Sequence, residues 1–314
     1  MGDVIVNIAI AEYIDLNNLT AKYGLEQWTL VNLSVGWDDG VYLLYSAHVP
    51  ERIQGMFVDT VANTEYRALC LWVDWQDGSL LGEELLELGR QKMNFHFIQP
   101  IGDRILLLGA RARLYNNGSP DQNAVFMNRE GKVEFRTCFG DGIQDCLVMQ
   151  DGRIVTSYFD EGILGNFGWH QPLGASGLVV WDDQGSVLWK NTNHAMIDCY
   201  AMNIDEQDHL WFYYYNEFNL VKTDFKSEWV YRPDISGSSS LLIMKSHTGV
   251  IMDSGYGNHR KLKMLRLLGN RLGRAVDVDI TYNGGRIPLD MYCFRSSKAV
   301  VADGRGRIFC VDVI

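Results

Sequence analysis

The chain has 314 residues, 47% hydrophobic and 12% aromatic, with a formal net charge of −11. That acidity argues against nucleic acid or an anionic membrane as partner, and 21% charged residues with only 6 prolines argue against disorder. No window approaches about 18 uninterrupted apolar residues, so no membrane-spanning helix is expected. The opening MGDVIVNIAIAEYI carries an acid at Asp3 and no basic run, so it does not read as a signal peptide. The six cysteines, at 70, 138, 146, 199, 293 and 310, form no C-x-x-C pair and lie mostly within apolar runs. They read as small buried hydrophobes in a reducing compartment, and the expected location is cytoplasmic.

Short runs rich in Val, Ile, Tyr and Trp, bounded by Asp-Gly and similar turns, recur along the chain and predict strands. Residues 4–9 form a first strand with no partner of its own. Leu33 opens a group containing strands 41–46 and 66–74. The stretch 80–90, LLGEELLELGR, reads either as a surface helical turn or as a fourth strand with a charged outer edge. Asn94 starts a second group, with 104–110, 124–128 and 132–137. Asp145 starts a third, with 153–159, 177–181 and 186–190. Asp198 starts a fourth, with 209–215, 220–224 and 228–232. Ser240 starts a fifth, with 249–253 and 262–268. Asp290 starts the last, with 298–302 and 307–313. Four strands recurring at roughly 40–60 residues is the pattern of propeller blades, and no persistent apolar 3.6-residue period supports a helical solenoid. The expected fold is all-β: a single-domain, six-bladed propeller over residues 1–314, closed by strand 4–9 as the missing fourth strand of the last blade.

Residues 135–160, FRTCFGDGIQDCLVMQDGRIVTSYFD, carry a strand ending in Phe-Gly, an acid-started inner strand, then Asp-Gly-Arg-Ile. This unit resembles an NHL-type repeat and the blades of gluconolactonase, regucalcin and TolB-type six-bladed propellers. The resemblance implies the propeller fold. It also implies a divalent cation held at the channel mouth by Glu, Asn and Asp; the family's Glu comes before the first repeat, where Glu12 would be needed, and this sequence departs from the pattern there.

If the first strand of each blade lines a central channel, Asn94, Asp145, Asp198, Ser240 and Asp290 converge at its mouth. His96, Tyr200 and Tyr292 form a tier two residues further on. Two readings of the aspartates stand open. Asp145, Asp198 and Asp290 can supply oxygen ligands to a hard divalent cation such as Ca²⁺. Alternatively, each can cap backbone N–H groups at a strand start. Long loops on the same face add Glu161, Asn166, Trp169 and His170 from residues 160–176, and Tyr256 and His259 from 254–260. Arg286 enters the last blade, where it can offset the carboxylates. Aromatic, His and Asn side chains on such loops suit recognition of a polar ligand.

No G-x-S-x-G, H-E-x-x-H, P-loop or strand-following G-x-G-x-x-G is present. The expected role is therefore a module binding a small molecule or a protein on the loop-rich face. The alternative is a metal-dependent hydrolase or lactonase of the regucalcin type, in which a cation polarises a carbonyl and a carboxylate moves the proton. A purely structural subunit is a third reading.

Overall fold

Strands Phe97–Ile101, Arg104–Leu108, Ala124–Asn128 and Val133–Thr137 show how this sequence makes a blade. They pair antiparallel in that order, and Gly102, at φ 57°, supplies the left-handed residue of the first turn. The inner strands are nearly continuous apolar runs, buried on both faces. The outermost alternates half-buried and exposed residues, as an edge strand with one wet face must.

The computed structural model describes residues 5–53 and 57–314. Among them the pattern of residues 97–137 recurs in Thr29–Val35, Val41–Ser46, Val61–Val73 and Leu80–Met93. It recurs again in Ile143–Val148, Ile154–Tyr158, Leu178–Trp181 and Val187–Lys190, and in Asp198–Ile204, Leu210–Tyr215, Leu220–Thr223 and Glu228–Tyr231. The chain is an all-β propeller of four-stranded blades. The six blades expected are not found: among the described residues five sheets have four strands, and the strands between 241 and 286 belong to a larger sheet of seven.

The N-terminal strand accounts for part of that difference. Ile5–Ile10 does not complete the last blade; it lies parallel to Val276–Tyr282 in the seven-stranded sheet. Val4, the first residue of the expected strand, lies outside the described residues, as do residues 54–56. The last sheet, Met291–Arg295, Lys298–Ala302 and Arg307–Asp312, takes its fourth strand from Ile14–Asp15. The expectation that the N-terminus supplies this strand names the wrong segment, and the reason is physical. Val6, Ile8 and Ile10 put one apolar face onto the cluster of Ile251, Met264, Val278, Ile280 and Phe309. An alternating face of this kind can be buried against either sheet.

Residues 80–90 are strand throughout. Leu86 and Leu88 are buried with the exposed Glu87 between them, the period of two of a strand with one wet face. Helix Leu16–Tyr23 was not expected. Asp15 caps it through Asn18 N–H at 3.0 Å, Lys22 lies in its last turn, and Gly24 follows at φ 64°. These are ordinary helix boundary signals on a segment too short for periodicity to reveal.

A second set of aspartates recurs where the first two strands of a blade join. Asp38 accepts from Gly40 N–H and Tyr42 O–H, Asp151 from Arg153, Asp205 from Gln207 and His209, and Asp303 from Arg305 and Arg307. These Asx turns fix the hairpins. The chain forms two compact units, one of Met1–Lys22, Trp72–Gly82 and Tyr200–Ile314, the other of Tyr23–Leu71 and Glu83–Cys199. No helix among the described residues is long and apolar enough to cross a membrane. No disulfide joins the six cysteines among the described residues, and burial pushes the Cys70, Cys138 and Cys310 thiols up to about 12.

Candidate functional site

In the unit Tyr23–Leu71 and Glu83–Cys199, the glycine-rich loop 160–176 folds over Arg111. A Cβ on Gly168, at φ 89°, would sit 2.2 Å from the Leu114 carbonyl oxygen, so only glycine allows this approach. Arg111 grips Asp141 through two bonds of 2.8 and 3.0 Å and reaches Glu161 at 2.5 Å. Its guanidinium lies 4.3 Å from the Phe167 ring centroid. Asn166 donates to Glu161 at 2.6 Å, and the Trp169 indole N–H donates to the Ala112 carbonyl at 2.7 Å. Glu161 and Asn166 thus meet beside Arg111 and Asp141, two residues that the sequence reading did not name, while Trp169 bonds the neighbouring Ala112 carbonyl. The run R-A-R after a strand could have drawn attention to Arg111. His170 lies on the exposed surface of the loop.

Asn94 is buried, and Tyr66 O–H points at its Oδ1 at 3.4 Å. His96 Nδ1 accepts the Ala110 N–H at 3.0 Å, so its other nitrogen carries the proton in the neutral ring. Burial and the Arg111 charge push this imidazole down to about 4. His96 is neutral at pH 7.

Asp145 takes the Cys146 N–H at 2.7 Å. Asp198, the first residue of its strand, keeps one carboxylate oxygen buried without a hydrogen-bond partner among the described residues. Burial, with the nearby Asp160 charge, pushes the Asp198 carboxyl up to about 7. Asp290 lies 3.3 Å from Arg260. No group of three or more His, Cys, Asp or Glu side chains able to hold a metal ion exists among the described residues. Arg286 does not serve the carboxylate that was expected. It pairs with Asp279 at 3.0 Å, and the cation beside Asp290 is Arg260.

The unit containing Tyr200–Ile314 builds a different site. Asp253, fully buried at the end of strand Gly249–Asp253, receives Ser239 N–H (2.7 Å), Ser240 Oγ (3.0 Å), Gly255 N–H (2.7 Å) and His259 Nδ1 (2.9 Å). The carboxylate holds His259 as the tautomer protonated on Nδ1. Nε2 has no hydrogen-bond partner among the described residues, on a side chain 50% exposed. Tyr292 donates to the His259 carbonyl at 2.9 Å.

Three residues before His259, Tyr256 joins an aromatic shelf. Its hydroxyl meets that of Tyr200 at 2.7 Å, and its ring stands edge-on to Tyr200 and Phe218, at 6.2 and 6.0 Å. Tyr215 packs on Tyr200 and Phe218. Tyr256 is 60% exposed and Tyr215 37%. The shelf depends on Gly237, at φ 78°, because a Cβ there would lie 2.4 Å from the Tyr256 ring. Sequence reading found Tyr200, Tyr256, His259 and Tyr292, and missed Asp253, Phe218 and Tyr215.

No family model and no curated protein matches this chain. Solved structures do. A chain in the crystal structure of the mitotic checkpoint complex is 9% identical, with 99% of this chain and 94% of that chain covered, at a TM-score of 0.54. The WD40 repeats of RRP9 are 10% identical, with 92% and 96% covered, at 0.49. Virginiamycin B lyase from Staphylococcus aureus is 11% identical, with 96% and 99% covered, at 0.48. At these identities the likeness to the checkpoint-complex chain shows the β-propeller fold and nothing finer.

Proposed function

We propose that this chain is a binding propeller that takes a segment of a partner protein on the shelf of Tyr200, Tyr215, Phe218 and Tyr256. The observation that carries the reading is the shelf itself: aromatic rings locked against one another, two of them exposed by more than a third. Rigid aromatic area lowers the entropy lost on docking, and such residues dominate the energetics of interfaces. The like-folded chain of the checkpoint complex works inside a protein assembly, which agrees with this role. The test is selection of peptides from a random display library on the wild-type chain. Enriched peptides should bind Tyr256→Ala at least about tenfold more weakly, a loss of about 1.4 kcal/mol. Equal binding to both would overturn the reading.

A second reading, an enzyme that moves a proton, is favoured by one observation: the buried Asp253 orients His259 with Nε2 turned to solvent. Hydrolysis of an ester panel that disappears in His259→Gln supports it. Hydrolysis that is absent, or unchanged in the variant, removes it.

A further inference from the structure

A cavity of about 450 Å³ opens at the other end of the third blade from the loop 160–176. It lies among the strand-joining turns that carry Trp37, Gly102, Asp151 and Asp183. We propose that it receives the basic side chain, arginine or lysine, of a partner peptide. The reading goes beyond the aromatic shelf and uses none of its residues.

The cavity has the size of an ordinary ligand pocket. Its charged groups are unevenly exposed. Arg104 pairs with Asp183 and Arg153 with Asp151, each at 2.7 Å, so formal charge is balanced within both pairs. The arginine side chains are 16% and 29% exposed, while their carboxylate partners are 47% and 50% exposed. Arg104 lies over the rings of Phe126 and Phe135, at 5.5 and 5.9 Å. The carboxylates are therefore the more exposed members of both pairs. A carboxylate has about four lone-pair sites, so one arginine contact leaves capacity for another donor.

Asp182 adds a third carboxylate to the lining, with Oδ1 accepting the Gln184 and Ser186 N–H groups. Leu188, 54% exposed, and the Trp37 side chain provide apolar wall. Long basic side chains use this combination: methylenes along apolar surface, the charged head among acceptors or over an aromatic face. An anionic ligand meets three carboxylates, and a net charge of −11 favours a basic partner over the whole surface.

The test follows the Trp37 indole N–H resonance of the ¹⁵N-labelled full chain, assigned by its loss in Trp37→Phe. The probes are acetyl-Gly-Arg-Gly-amide, its lysine counterpart and its glutamate counterpart. The arginine and lysine peptides should move the resonance saturably, and the glutamate peptide should not. Raising salt from about 0.02 to about 0.3 M should weaken binding several-fold. Asp151→Asn with Asp183→Asn should weaken it about fivefold. Because those substitutions also release two arginines, Leu188→Lys provides an independent check: it places a cation at the opening on an exposed side chain and should also reduce binding. Tyr256→Ala should leave this binding unchanged, which separates its failure from failure of the shelf. A Trp37 resonance unmoved by the arginine peptide, equal response to the glutamate peptide, or wild-type binding in both the Asn pair and Leu188→Lys would overturn the proposal.

Discussion

Asp141 and Asp253 are both buried carboxylates holding a loop, one in each unit, and they are satisfied in opposite ways. Asp141 is met by the Arg111 guanidinium, itself nearly covered and shared with Glu161, and by the Ala112 N–H. Asp253 is met by backbone N–H groups, serine hydroxyls and the ring of His259, whose far side is open. A buried ion pair closed on itself gives a rigid loop and offers little to a ligand. A carboxylate held by neutral donors gives the same rigidity while orienting a group that still faces solvent. The loop 160–176, longer and richer in glycine, is the more conspicuous in sequence, yet the shorter loop 254–260 carries the open chemistry.

Removing one partner should affect the two loops to different degrees. Arg111→Met strands Asp141 without its charge partner, and urea unfolding should show a loss of about 3–5 kcal/mol. A loss under about 1 kcal/mol would mean that Asp141 takes up a proton or water instead, and the contrast with Asp253 would weaken.

Acid should act on the unit Tyr23–Leu71 and Glu83–Cys199 through His96. Burial and the Arg111 charge push its imidazole down to about 4 from the ordinary 6.5, so the native state binds fewer protons between these values. Stability should be intact above about pH 6.5 and fall as pH drops towards about 4, by at most about 3 kcal/mol. Asp198 works in the opposite sense: its raised carboxyl pKa makes the native state bind more protons, so its contribution is lost as pH rises from about 4 to about 7. Unfolding midpoints of His96→Gln and Asp198→Asn across that range should each remove one limb. A pH profile unaltered by either substitution would refute both assignments.

Asp253→Asn keeps the shape but weakens four or more contacts, and should cost about 1–3 kcal/mol. The same substitution should release the His259 tautomer, visible as a change in its ring nitrogen shifts. If those shifts stay fixed, Asp253 does not orient the ring. The smallest expected change is Tyr256→Ala, within about 0.5 kcal/mol of wild-type stability because the ring is largely exposed. A larger loss would make the shelf a structural prop.

What the sequence by itself determined is what neighbouring residues decide among themselves. Asp-Gly turns and apolar, β-branched inner strands are local signals, so the four-strand cadence and most strand positions were legible, while 80–90 stayed open between a helical turn and a strand. Helix Leu16–Tyr23 was legible in its caps, but it is too short for a periodicity argument. Tertiary structure alone decided where Ile5–Ile10 pairs, because an alternating face fits any sheet with an open edge and an apolar neighbour. It also decided the fate of each acid. Asp145, Asp198 and Asp290 look alike as strand-opening residues, yet one takes a backbone N–H, one keeps an unsatisfied buried oxygen and one faces Arg260. Asp141 and Asp253 gave no sequence signal as hubs, because a carboxylate's role depends on donors brought from distant segments: Arg111 and Ala112 for one, Ser239 and His259 for the other. Strand propensity is set over a few residues, whereas the solvation and partners of a charge are set by whichever backbone folds over it.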